Sequence, residues 1–281
     1  MRKGGGDPGD IVIERGLDTT NYSRTMCFRE GRITIQEQLA QYSAETTRLR
    51  QALDLAFGQR ATVSGKFEDQ VVFPLGVACK DIFGEILFAS EQGYGRLALR
   101  SARTMYECAV FARYLSLHPE KTQAFLNNFH ASWAMILRHT PRAAKNLPEM
   151  HRELSAKVSG YAANKRIDLD WSGKKTWGMA KKVGPLSELH SLAFNYASAF
   201  VHPNAIFVLS LLSNSTPGGD LSRVGLKPQD DEAEKALRIS NDLALNAIHL
   251  RLKYSPSVAL GDCFGECKKD FVRIWSYPAH L

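Results

Sequence analysis

Two sets of polar side chains in this 281-residue chain have types and spacings suited to chemistry on a phosphate. Arg96, Arg100, Arg103 and Glu107 recur at intervals of four, three and four, which places them on one side of a helix. Ser191, Asn195, Ser198 and His202 repeat the same intervals about ninety residues later. A guanidinium fork binds phosphate oxygens in pairs, and an imidazole gives or takes a proton near neutral pH. If the two helices face each other, Arg100, Arg103, Glu107, Asn195 and His202 converge. In that arrangement His202 is the acid/base, Glu107 orients the arginines, and Arg103 stabilises developing charge. Arg96, Arg100, Asn195 and Ser198 then hold the phosphate. A plainer reading stays open beside it. The arginine stripe is then a solvated face with Glu107 as an internal partner, and His202 is a satisfied core histidine.

The elements that must position these groups are helices. In 94–117, Leu97, Leu99, Met105, Tyr106, Val110, Phe111, Tyr114 and Leu115 wrap most of the circumference, as expected inside a bundle. Residues 33–57 repeat Ile35, Leu39, Tyr42, Leu49, Leu53 and Phe57 on one face. Further helical periodicity runs through 69–90, 120–138, 185–202, 203–214 and 231–254, with Pro74 placed in a first turn and a loop at Asn214–Asp220. No regular series of strands and turns is present. The pattern predicts an all-α bundle of about seven or eight helices in a single domain. Residues 1–32 read as an irregular N-terminal segment, 33–256 as the bundle with a basic insertion at about 158–184, and 257–281 as a C-terminal extension.

Thirty-six Lys and Arg against 29 Asp and Glu give a formal charge of +7. Between Arg138 and Gly184 lie eleven basic and four acidic residues, so this one segment carries the whole excess. Its second half adds Tyr161, Trp171 and Trp177 among several glycines. Cations attract phosphate and exposed aromatic faces stack unpaired bases, so Lys174, Lys175, Lys181, Lys182 and Trp177 form a candidate nucleic-acid surface. The alternative is a surface loop whose tryptophans pack back onto the bundle, the better reading for Trp171.

A hydrophobic content of 44% with 23% charged residues excludes disordered and fibrous classes. The N-terminus lacks the apolar region of a signal peptide. Five scattered cysteines fit reduced thiols in a cytoplasm rather than a disulfide framework. Ser191–Ser215 contains no formal charge, but Asn195, His202, Pro203 and Asn204 interrupt it; a buried helix pair broken at Pro203 is expected, not a membrane span. Gly93-Tyr-Gly-Arg-Leu-Ala98 matches a dinucleotide fingerprint only formally, because no strand precedes it. Cys263, Cys267 and His280 fall short of the four ligands of structural zinc. No motif calls for a metal or cofactor.

Three stretches carry a resemblance. Leu99-Arg-Ser-Ala-Arg-Thr-Met-Tyr-Glu107, Trp171-Ser-Gly-Lys174 and Tyr196-Ala-Ser-Ala-Phe-Val-His-Pro203 resemble a bacterial all-helical family of unknown function. That family is marked by an Arg-Ser…Glu helix, a Trp-x-Gly turn and a Tyr…Ser…His-Pro helix. The resemblance covers about residues 75–210 and implies a helical fold with a shared site, but no activity. A remoter similarity is to HEPN ribonucleases, small helical bundles that cut RNA without a metal through an Arg-x(4–6)-His motif and act as dimers. Here position 195 is Asn where that motif has Arg. The similarity implies RNA as partner, a homodimer, and Arg100 or Arg103 replacing the missing arginine in space. Two functions follow as expectations: a cytoplasmic protein that binds RNA or a nucleotide and cuts RNA without metal, or a non-catalytic interaction or regulatory module with a structural Arg–Glu–His network.

Overall fold

The computed structural model describes residues 34–59, 61–128, 171–172, 174–201 and 229–281, and its helices belong to one compact unit, Ile35–Leu281. The fold is all-α, with no strand among the described residues. In chain order the helices are α1 Ile35–Gln41, α2 Ser43–Phe57, α3 Asp69–Glu91, α4 Gly95–Leu117, α5 Thr176–Ala180, α6 Leu186–Leu189, α7 Ala197–Val201, α8 Asp230–Tyr254 and α9 Val258–Trp275. A short 3-10 turn, Pro119–Lys121, follows α4, and a π-helix, His190–Tyr196, separates α6 from α7.

The expected helix 33–57 is two helices, because the backbone departs from helical geometry at Tyr42 (φ −105°, ψ 25°). Pro74 is interior to α3 instead of sitting in its first turn. There it supplies no N–H, so the helix forgoes one rung of its hydrogen-bond ladder. Helix α4 stops at Leu117 because His118 precedes Pro119 and is pushed out of the α region, to φ −130°. Expected helical residues 129–138 and 203–214 lie outside the described residues.

The centre of the fold is the α3–α4 hairpin with α8 laid against both helices. Its core includes Phe83, Ile86, Leu99, Met105, Tyr106, Ile239 and Leu243, all inaccessible to solvent. Alanines at 98, 102, 233 and 236 keep the helix axes close. The hairpin turn explains the glycine pair of the formal dinucleotide match. Gly93 takes a left-handed φ of 74° at the end of α3. Its N–H reaches Ser90 O (3.0 Å) and the Tyr94 N–H reaches Ala89 O (2.8 Å), the two bonds of a Schellman cap. At Gly95 the need is proximity: a Cβ there would stand 2.1 Å from Gln229 O.

One buried ion pair ties the ends of this core together. Arg251 of α8 donates to both carboxylate oxygens of Asp69, at 3.1 and 2.9 Å, and to the carbonyl of Thr62. Asp69 also accepts the Ser64 N–H at 2.6 Å, so the buried carboxylate is fully engaged. Residues 257–281 contribute α9, which packs on α2 and α8, and then a returning tail. Asp242 of α8, with no solvent exposure, accepts both the backbone N–H (2.8 Å) and the ring Nδ1–H (2.5 Å) of His280. His280, weighed above as a zinc ligand, thus holds the tail, with Nε2 3.4 Å from Glu188.

Candidate functional site

Helix α4 carries its polar stripe as the spacing predicts, but its members have different environments. Arg96 is buried; its side chain approaches Glu232 of α8 at 3.7 Å, and its backbone N–H donates to Gln229 Oε1 at 2.7 Å. Arg100 is exposed along part of its length and donates from Nε to the carbonyl of Phe200. Arg103 is half-buried, and its Nε donates to Ser198 Oγ at 2.8 Å. Its Nη2 lies 3.4 Å from Glu107 Oε1, one turn on. Ser198 passes its own proton to Phe194 O at 2.5 Å. Burial pushes the Glu107 carboxyl above its usual range, and the Arg103 guanidinium opposes that rise.

The two stripes therefore meet: α7 lies on α4, and Arg100, Arg103, Glu107 and Ser198 share one junction. Arg96 is drawn toward the start of α8 instead. His202, the next residue after α7, lies outside the described residues. Ser191 and Asn195 are exposed and do not join Ser198 at Arg103. The cause is the π-helix His190–Tyr196, whose wider turn changes the phase of the segment. Four-three-four spacing puts residues on one face only while the helix keeps 3.6 residues per turn.

That phase change brings forward a histidine that periodicity does not mark. His190 is 6% exposed, and its ring stacks on Phe194 (4.9 Å between centres, 14° between planes). Trp177 of α5 lies 4.7 Å from it at 31°. Arg103 sits 4.6 Å from the Phe194 ring centre, and the Lys181 ammonium 4.6 Å from that of Trp177. Three rings, Trp177, His190 and Phe194, thus form a continuous series with a cation at either end. The Tyr106 hydroxyl, wholly buried, lies 3.0 Å from Leu186 O and 3.2 Å from His190 Nδ1. Burial lowers the His190 pKa and favours the neutral ring.

The lysine and tryptophan positions divide. Lys174, Lys175, Lys181 and Lys182 are all exposed, and Trp177 is 42% exposed. Trp171 packs edge-on against Phe125 (4.9 Å) and Phe111 (5.8 Å), as a core residue would. The basic residues from Arg138 to Arg166 lie outside the described residues.

Residues 69–219, more than half of the chain, match the model of a family of unknown function, DUF5677. The chain belongs to this family. The DUF5677 match spans the stretch in which the sequence resemblance was seen, and includes the α3–α4 hairpin and the α4–α7 junction. No curated protein and no solved structure matches the chain. Among the described residues, no helix is long and apolar enough to cross a membrane. The four described cysteines, Cys79, Cys108, Cys263 and Cys267, are free thiols.

Proposed function

We propose that this DUF5677 protein binds single-stranded RNA or a nucleotide on the face formed by α5 and the π-helix. The observation that carries the reading is Trp177. The indole is 42% exposed, with His190 stacked on it and the flexible Lys181 ammonium 4.6 Å from its ring centre, so a base that displaces the lysine gains a stacking face beside a cation. Lys174, Lys175 and Lys182 add exposed charge around it for a phosphate chain. The setting for this function is the cytoplasm, with RNA or a nucleotide as partner and a HEPN-like homodimer as the assembly.

The same reading includes metal-independent RNA cleavage. The 2′-hydroxyl oxygen bonds to the adjacent phosphorus, the 5′-oxygen bond breaks, and His202 moves the proton to the leaving oxygen. Arg100 and Arg103 oppose the charge that builds on the phosphate, and Glu107 keeps Arg103 in place. Ser198, bonded to Arg103, belongs to the proposed phosphate-holding group, whereas Arg96 and Asn195, expected in it from the spacing, lie apart from that junction.

A second reading has its own support. Arg103, Ser198 and Glu107 satisfy one another internally, which is how a network fixing helix register behaves. Binding and cleavage measured together separate the two. A labelled oligouridylate should bind the wild type, and Trp177→Ala should weaken binding roughly 5- to 100-fold, the range for loss of one stacked base. Cleavage of that RNA in excess chelator, lost in His202→Ala at unchanged melting temperature, supports the enzyme. Binding without cleavage leaves a binding protein; absence of both leaves the structural module.

A further inference from the structure

The proton count around Tyr106 favours one tautomer of His190. Tyr106 has one hydroxyl proton and two neighbours within hydrogen-bond reach, Leu186 O at 3.0 Å and His190 Nδ1 at 3.2 Å. A carbonyl only accepts, so both contacts are bonds only if Tyr106 donates to Leu186 and Nδ1–H donates to Tyr106. The neutral ring then carries its proton on Nδ1, and Nε2 is a bare acceptor. Among the described residues nothing donates to it. Stacking on Phe194 and Trp177 holds the plane of the ring, and the Tyr106 contact at Nδ1 sets which way round it sits.

An unpartnered ring nitrogen on a side chain locked beside a half-exposed tryptophan has a chemical preference. In a phosphodiester chain both the 3′- and 5′-oxygens of ribose are esterified, so the 2′-hydroxyl is the sugar's one donor. We infer that His190 is the group that distinguishes RNA from DNA on this surface, its Nε2 accepting the 2′-hydroxyl of the nucleotide stacked on Trp177. Burial, which keeps the imidazole neutral, supports this, because a protonated ring has no acceptor to offer. The contact is one of binding and holds whether or not the phosphodiester is then cut. It rests on the RNA-binding reading above.

The test compares oligouridylate with its 2′-deoxy counterpart on the full chain, alongside nitrogen-detected NMR of the imidazole. The free protein should show His190 protonated on Nδ1. Wild type should favour the ribo form roughly three- to tenfold, the scale of one neutral hydrogen bond. His190→Phe keeps the ring and its stacking while removing both nitrogens, and should bring RNA affinity down to that for DNA. Tight RNA binding with no ribose preference, or a ring protonated on Nε2, overturns the role of His190 and leaves the RNA-binding reading standing. Failure of the wild type to bind either oligonucleotide overturns both.

Discussion

Arg103 Nε donates to Ser198 Oγ across 2.8 Å, and through this bond the arginine stripe of α4 holds the segment that leads to His202. Ser198 is committed in turn, since its proton goes to Phe194 O. The bond therefore closes a chain from Glu107 through Arg103 and Ser198 to the π-helix, and it places a load-sharing group, not a free cation, at the helix junction.

A double-mutant cycle on Arg103→Ala and Ser198→Ala should give a coupling energy of about 0.5–1.5 kcal/mol in chemical denaturation, the net worth of one such bond. Arg103→Ala alone should cost more than Ser198→Ala. It leaves the half-buried Glu107 without the cation that opposes its desolvation, and the Glu107 carboxyl should titrate still higher. Purely additive effects would show that the two side chains are adjacent without interacting.

Trp171 and Trp177 should separate cleanly in stability. Trp171 meets Phe111, Tyr114 and Phe125, each within 6 Å between ring centres, so Trp171→Ala should cost about 3–5 kcal/mol. Trp177 is 42% exposed, and Trp177→Ala should cost under about 1.5 kcal/mol while changing the surface proposed for RNA. Equal losses in thermal unfolding would place Trp177 in the core in energetic terms and remove the motive for a stacked ligand.

Periodicity located α3, α4 and α8 to within a residue or so at each end, because each is a long helix at a constant 3.6 residues per turn. It offers the meeting of α4 with the segment before His202 only as a condition, and the contact of α7 with α4 through Arg103 and Ser198 meets that condition in part. It misjudged which residues of that segment reach the junction, since a π-turn over His190–Tyr196 breaks the phase that the four-three-four spacing assumes. Nothing in His-Ser-Leu-Ala-Phe-Asn-Tyr announces the wider turn, and His190 fits neither stripe. The break at Tyr42 and the interior Pro74 escaped for a related reason. Apolar spacing reports which face of a helix is buried, not the backbone angles along it, so neither the departure at Tyr42 nor the depth of Pro74 in α3 shows in the pattern.

Two histidines should pull stability in opposite directions with pH. Asp242, hydrogen-bonded to Nδ1, raises the His280 pKa, with Glu188 adding to it. The folded state then binds a proton more tightly than the unfolded chain. This contribution is complete below the ordinary value of about 6.5 and is lost as pH rises through the folded-state value. Burial lowers the His190 pKa, so its contribution is present above about 6.5 and is lost as pH falls. The destabilisation caused by His280→Gln should therefore be greatest at about pH 6 and shrink toward about pH 9, while His190→Phe should be relatively least harmful in acid. Urea unfolding across that range reads both; parallel pH curves for wild type and His280→Gln would show that the tail bond carries no charge.

Two glycines predict opposite signs for the same substitution. At Gly95 a Cβ would stand 2.1 Å from Gln229 O and 2.6 Å from Ala233 N, both backbone atoms of the α8 start that no rotamer change can move. Gly95→Ala should force α4 and α8 apart and cost about 1–3 kcal/mol, the usual penalty of overpacking. At Gly84, in the middle of α3, nothing lies within 4 Å of the new methyl. Gly84→Ala should instead stabilise by about 0.5–1 kcal/mol, because alanine surrenders less backbone freedom on entering a helix. Melting temperatures of the two variants should move in opposite directions. A neutral Gly95→Ala would mean that the α4–α8 crossing is looser than these contacts require, and that Arg96 and Glu232 are not held as described.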